Sequence, residues 1–397
     1  MQLIELKPIL KNRNFKFLFI NMFMVLFNYS AYTAFGGAFF SIIAQIKTLI
    51  FTISILVILK DNHLSSYRIS NTKYMYFIMV ISILSTIIGA NSFGPLSKTL
   101  TFVIPFLYII YCINYLTKYG AYRLLIALSL IIMICYAIIP IYYLAYGSAI
   151  SSSHIYGLAE GEVFVSNHYG WASTIFILSS FTISKHLSIK KKYKIIILFF
   201  QIFSFLLLMN SACRSAILAL SISLLYFIFK EKIVFYKKLI LYIFLISASV
   251  YLSLNEDSAF QFILERTERQ IEEKEEGRYE TFIVMKDKIN AEPSKWIYGV
   301  GMFDYTVLSK VETKLKQYHN SYLELLFGGG IIVFSLFILL MIIRPFKVFW
   351  RKTGQYSLLI FPLVIIPFFE SDLTAGQFLF FPWFAYMILL NAKEFNA

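Results

Sequence analysis

Apolar residues fill this chain in long runs separated by short polar stretches. A helix rises about 1.5 Å per residue, so roughly 20 predominantly apolar residues cross the hydrocarbon layer of a bilayer. Such runs fall at about 15–35, 37–59, 74–91, 99–116, 123–146, 167–184, 194–211, 213–229, 238–254, 321–343, 357–369 and 374–391, which predicts about twelve transmembrane helices. The run 357–369 is short and carries Pro362 and Pro367; a span tolerates Pro where neighbouring helices satisfy the freed carbonyls. One long polar stretch, 255–320, interrupts the series. The expected fold is all-α, a polytopic integral membrane helical bundle with a helical loop subdomain. Spans one to nine lie in 1–254, the loop with its amphipathic helices in 255–320, and spans ten to twelve in 321–397. No small-residue cleavage site follows the first run, so it reads as a retained span and not as a removable signal peptide.

Composition agrees with that pattern. Of 397 residues, 59% are hydrophobic and 15% charged, and the mean hydropathy is +0.71. Soluble domains are about 45–50% apolar and about 25% charged. A water-soluble enzyme and a disordered or disulfide-stapled chain are both excluded. Cys112, Cys135 and Cys213 sit in or beside apolar stretches without metal-type spacing and read as small apolar side chains.

The formal charge of +14 is explained by where the charges lie. With the N-terminus placed in the cytoplasm, the inside segments carry Lys7, Lys11, Arg13 and Lys16; Lys60, Arg68 and Lys73; Lys118 and Arg123; Lys185, Lys190, Lys191, Lys192 and Lys194; Lys230, Lys232, Lys237 and Lys238; Arg344, Lys347, Arg351 and Lys352; and Lys393. The acids there are Glu5, Asp61, Glu231 and Glu394, while the short outside loops hold Lys98 and Arg214. That bias fits twelve spans with both termini cytoplasmic. It anchors cytoplasmic loops against anionic lipid, and no nucleic-acid partner is needed to account for it.

In such a chain the information lies in polar groups that the topology forces outside or into the membrane. A Ser/Gly-rich outer loop, 147–166, runs into Asn167, His168 and Tyr169 at the mouth of the sixth span. A tight turn, Asn210 to Ser215, joins spans seven and eight and contains Arg214. An Arg there calls for an anionic partner, although snorkelling to lipid headgroups is an alternative. In the long loop, Ser258 to Asn290 reads as one or two amphipathic helices on the membrane surface, broken at Gly277 before Arg278. The acidic run Glu272 to Glu276 reads as a solvated face. Gly299-Val300-Gly301 lacks the strand–helix context of a nucleotide loop; it reads as a turn where the backbone must approach something closely. His319 falls at the N-terminal mouth of span ten, where free N–H groups favour an anion, although it could instead be an interfacial cap. Glu324 lies about one turn deeper, where a carboxylate is costly unless paired or protonated. Glu370 and Asp372 stand in the loop between spans eleven and twelve.

Arg214, Arg278, His319, Glu324, Glu370 and Asp372 are far apart in sequence, yet the predicted topology puts them at or near one face. Arginines, a histidine and carboxylates at a lipid–water boundary suit a substrate with a phosphate head and an apolar tail. Arg binds phosphate bidentately, and His, with a pKa of about 6.5, can take a proton from a sugar hydroxyl. No zinc or iron ligand cluster and no nucleotide motif is visible, so no cofactor is expected. Without ATP outside the cytoplasm, the energy must come from the donor's own leaving group.

These residues resemble the bacterial O-antigen ligase/polymerase superfamily of polytopic glycan transferases. The matching features are the spans with a long outer loop before the last three, Ser211 to Arg214, Gly277-Arg278, Gly299 to Gly301, and His319-Asn320 followed by Leu323 and Gly328. The resemblance is strongest over about 160–345; the first 150 residues match in hydropathy alone. It implies a glycosyltransferase of the inner membrane, active at the periplasmic face, with an undecaprenyl-diphosphate-linked glycan as donor. Carried over, Arg214 and Arg278 are the pyrophosphate-binding arginines and His319 activates the acceptor hydroxyl. Glu324, Asn320, Asn167, His168, Glu370 and Asp372 are supporting or substrate-binding residues. Asn167-His168-Tyr169-Gly170 and His319-Asn320-Ser321-Tyr322 favour a polymerase over a ligase that transfers finished polysaccharide to lipid A-core. The implied partners are membrane lipids and a chain-length regulator protein. A lipid-linked oligosaccharide flippase is the competing class, but it predicts half-to-half repeats and midplane polar groups, and neither is evident in the sequence.

Overall fold

The computed structural model describes residues 13–35, 68–89, 94–141, 150–151, 154–156, 163–211, 213–230, 276–302, 320–354, 356–370, 373 and 379–395, with scattered positions between 50 and 60. Its helices are α1 Arg13–Phe35, α2 Thr72–Gly89, α3 Gly94–Leu116, α4 Ala121–Tyr136, α5 Ser166–His186, α6 Lys191–Asn210, α7 Arg214–Lys230, α8 Glu276–Ala291, α9 Lys295–Tyr298, α10 Ser321–Ile338, α11 Arg344–Val348, α12 Ile360–Ile365 and α13 Phe380–Leu389. Five helical stretches are long and apolar enough to cross a membrane: Thr72–Gly89, Thr99–Tyr119, Ala121–Ile141, Lys191–Met209 and Ser321–Thr353. The protein is thus an all-α polytopic membrane protein. The expected span 238–254 and most of 37–59 lie outside the described residues.

Three differences from the sequence reading have physical causes. The loop 147–166 contains a three-stranded antiparallel meander: Ile150–Ser151 pairs with His154–Tyr156, which pairs with Val163–Val165. Its β-branched and aromatic residues favour strands, but the segments are too short to stand out beside Ser and Gly. The run 357–369 forms α12 and then a 3-10 turn, Ile366–Phe368, because Pro362 and Pro367 cannot donate to a continuous ladder. The span beginning at Ser321 continues well past residue 343 to Thr353, through wide π-type turns at Leu339–Ile343 and Phe349–Thr353.

The bundle has two distinct ends. At one, Lys393 N donates to Arg68 O (2.8 Å), Ser70 N to Asn391 O (2.8 Å) and Ala121 N to Glu394 Oε2 (2.6 Å), and the His186 ring stacks on Tyr356 at 4.0 Å. We call this the basic end, since Arg68, Lys118, Lys185 and Lys393 sit here. At the other end, Gly170 meets the Ser211–Cys213 turn, Tyr322 meets Phe368 at 4.4 Å, and Met302 N donates to Thr86 Oγ1 (3.2 Å). Between them lies one continuous apolar core, in which Phe337 stacks on Trp383 at 5.1 Å and Phe102, Phe106 and Phe384 interlock.

The long loop is fastened to the bundle by a break in α10. Gly330 has a φ of 74° inside the helix, so the i→i−4 ladder is interrupted and carbonyls are released. Two of them are recaptured: Val300 N donates to Phe327 O (2.9 Å) and Gly301 N to Gly328 O (3.0 Å). The turn at Gly299, with a φ of 78°, therefore does approach something closely, and its partner is a membrane helix. Around this joint Met285, Ile289, Val300 and Phe327 form a small second core. The stripe Thr281, Met285 and Ile289 of α8 is buried against protein, which differs from an amphipathic face laid on lipid. Four-residue spacing puts these three side chains on one side of a helix, and Phe327 supplies the apolar surface they cover.

Candidate functional site

The site residues are positioned by helix mouths at the end opposite the basic loops. Asn320 is extended (φ −159°) and caps α10: its side-chain oxygen accepts from Tyr322 N and Leu323 N, both at 3.0 Å. This satisfies two of the donors that a helix N-terminus leaves free. The next residue, Ser321, is fully buried and ties the loop after α12 to the same mouth. Its N–H and Oγ both donate to Glu370 O (3.1 and 2.8 Å), and its Oγ accepts from Leu373 N (3.2 Å). Glu370 then reaches a third helix, because its Oε1 accepts from Asn167 Nδ2 at 3.0 Å, in the first turn of α5. Three segments remote in sequence are thus joined through one carboxylate residue.

A second set of contacts joins α5 to α7. The His168 ring lies 4.9 Å from that of Trp171, and Trp171 Nε1 donates to Ser215 Oγ at 3.3 Å. Ser215 follows Arg214, the first residue of α7, which is exposed. Gly170 makes this approach feasible: a Cβ there would lie 2.5 Å from Cys213 Cβ and 2.7 Å from Ser211 Oγ. The three cysteines are free and buried, as small apolar side chains should be.

Glu324 is 1% exposed, in the first turn of α10. A buried carboxylate is costly, and the first turn of a helix is where the dipole reduces that cost most. Arg278 is in the first turn of α8, about two turns before Met285 docks on the Phe327 core. His319 and Asp372 lie outside the described residues; their chain neighbours Asn320 and Leu373 belong to the α10 mouth and its Ser321 clasp.

Arg214, Asn167, His168, Asn320, Glu324 and Glu370 therefore share one end of the bundle, as the alternating topology requires. Asn320 has a structural task that its sequence position conceals, since both bonds from its side-chain oxygen go to backbone. Sequence reading gave Ser321, Ser215 and Gly170 only as members of motifs and did not single out Trp171, yet these four hold the mouths together. The Asn-Ser pair ahead of an apolar run is a recognisable helix-start signal, whereas nothing in the sequence links Trp171 to Ser215. Among the described residues, no three His, Cys, Asp or Glu side chains are close enough to share a metal ion.

A family model described as O-antigen ligase matches residues 199–338, a span that runs from within α6 to the end of α10 and includes Arg214, Arg278, His319, Asn320 and Glu324. Asn167, His168, Glu370 and Asp372 lie outside it. No curated protein matches the chain. Over residues 199–338, which hold Arg214, the Gly277-Arg278 pair and His319-Asn320, the chain is similar to the O-antigen ligase family.

Proposed function

We infer that the protein is a membrane glycosyltransferase that polymerises undecaprenyl-diphosphate-linked oligosaccharide repeat units at the periplasmic face of the bacterial inner membrane. What supports a lipid-linked glycan transferase is the family match over 199–338, together with the clasp of Glu370, Ser321 and Asn167 that gathers the helix mouths at the end away from the basic loops; the choice of polymerase rests on Asn167-His168-Tyr169-Gly170 and His319-Asn320-Ser321-Tyr322. The positive-inside bias sets that basic end in the cytoplasm, with both termini, and leaves the candidate site facing the periplasm.

In the proposed reaction a hydroxyl of the acceptor sugar attacks the anomeric carbon of the donor. The new C–O bond forms as the bond from that carbon to the diphosphate oxygen breaks, and the hydroxyl proton passes to His319. Arg214 and Arg278 stabilise the charge on the departing lipid diphosphate. The diphosphate leaves with its electron pair and supplies the driving force, so neither metal nor nucleotide is assigned a role. Asn320, Asn167 and Glu370 hold the mouths in register, and Glu324 supports His319 from one turn below. A misplacement of about 1 Å in such a site can cost about a hundredfold in rate. A chain-length regulator and membrane lipids are the proposed partners.

The ligase reading is favoured by the description of the matching family. Deletion of the gene followed by gel analysis of surface glycan decides between them. Core bearing a single repeat identifies a lost polymerase. Naked core with accumulated lipid-linked polymer identifies a lost ligase and overturns the polymerase assignment. Purified protein that in detergent neither lengthens lipid-linked repeats nor transfers polysaccharide to lipid A-core would leave the flippase class standing instead.

A further inference from the structure

The end of the bundle opposite the candidate site carries a cavity of about 330 Å³ lined by Arg344, Lys347, Val348, Arg351, Lys352 and Phe395. The first five stand at i, i+3, i+4, i+7 and i+8, so one face of a single helical run supplies four cations. Val348 and Phe395 are buried and form an apolar floor. Arg344 is half-buried, and its Nε is shielded from solvent without a hydrogen-bond partner. The neighbouring Glu394 directs its Oε2 to Ala121 N at the start of α4 and forms no ion pair with the cluster. Among the described residues, no carboxylate pairs with any of the four cations; the described ion pair is Lys295 with Glu292, in the long loop.

Depth identifies the surroundings of this cavity. The helical run Ser321–Thr353 is 33 residues long and is broken at Gly330, against the about 20 residues that cross the hydrocarbon layer of a bilayer. Ser321 stands at the mouth clasped by Glu370, whereas Arg344 to Lys352 share a cavity with Phe395 at the basic end, so the run has crossed the bundle before Arg344. Arg344 to Lys352 then stand at the lipid headgroups of the far leaflet. A cationic cavity with an apolar floor at that depth matches a phosphate group attached to acyl chains. We propose that it is a binding site for the phosphate headgroup of an anionic phospholipid in the leaflet opposite the candidate site, with Arg344 and Arg351 gripping the phosphate oxygens and Lys347 and Lys352 adding charge. This goes beyond the general attraction of basic loops to anionic lipid, because it specifies one occupant in one cavity.

Native mass spectrometry of the purified full-length protein tests the assignment, with dioleoylphosphatidylglycerol, tetraoleoyl cardiolipin, dioleoylphosphatidylcholine and inorganic phosphate as separate probes. The wild type is expected to retain one anionic lipid in preference to phosphatidylcholine. The double substitution Lys347→Gln/Arg351→Gln should weaken that retention by about fivefold for each charge removed, and Arg351→Lys should recover part of it. Lys190→Gln/Lys191→Gln, which removes two exposed cations outside the cavity, should leave retention unchanged. Equal losses in the two double variants would mean diffuse surface attraction and would overturn the site. Displacement of the lipid by equimolar inorganic phosphate would assign the cavity to a soluble anion and overturn the lipid. Should the double variant not fold, the single exposed substitution Arg351→Gln carries the same comparison.

Discussion

Gly299 and Gly330 lie against each other with both backbones in the left-handed region, at φ 78° and 74°. A Cβ on Gly299 would stand 2.7 Å from Gly330 N, and one on Gly330 would stand 2.7 Å from Tyr298 N. The contact fixes the long loop to a break inside α10, about three turns beyond the Asn320 mouth.

Gly299→Ala and Gly330→Ala should each destabilise the protein by about 3 kcal/mol or more, because strained backbone and backbone clash act together. Gly120→Ala is the control. Gly120 also has a positive φ, 105°, but a Cβ there meets only the Arg123 side chain at 3.7 Å, so its cost should be about 1 kcal/mol. Thermal unfolding in detergent measures the difference. Equal losses at all three positions would mean that close approach contributes nothing at the joint.

Asn320 is expected to tolerate Asp better than Ala. Asp keeps an oxygen to accept from Tyr322 N and Leu323 N and adds a charge that the helix N-terminus favours. Ala should cost about 1 kcal/mol. If glycan extension is lost in both variants while stability is lost only in Ala, Asn320 also contacts substrate.

Asn167 and Glu370 should be energetically coupled across the site. A double-mutant cycle with Asn167→Ala and Glu370→Ala is expected to give an interaction of about 1 kcal/mol, measured by thermal unfolding. Both residues are partly exposed, which keeps the value near the low end for a bond to a charged group. Strict additivity would show that the 3.0 Å contact contributes nothing to joining α5 and the post-α12 loop.

His319→Ala and Arg214→Ala should abolish long surface glycan without preventing membrane insertion, and Arg214→Lys should retain a fraction of it because charge survives while bidentate geometry does not. Surface-glycan gels and membrane fractionation measure the two outcomes together. Normal chain length in both Ala variants would remove the proposed chemistry.

The helices α2, α3, α6 and α7 were legible in the sequence to within a few residues, because a span in lipid must satisfy its own backbone and be apolar throughout. The alternation of Lys and Arg between loops also anticipated which helix ends share an end of the bundle: Arg68 does meet Lys393, and Asn167 does meet Glu370. The turn at Gly299 was legible as a close approach, but not its partner. The chain in 147–166 read as loop, since its strands are two or three residues long and pair with one another. Ser321 and Trp171 were not singled out as site residues, because an apolar run gives no sign of which of its polar or aromatic members faces another helix.

Sequence alone determined that this is a helical membrane protein and that Arg214, Asn167, Asn320 and Glu370 stand away from its basic loops, because hydropathy and charge bias are properties of each segment by itself. Tertiary structure decided that Asn320 caps a helix, that Glu370 links α5 to α10, that the broken helix at Gly330 receives the loop at Gly299, and that four cations line one cavity. Those outcomes depend on the side chain or carbonyl that another segment presents, and such a pairing exists only once the helices have packed.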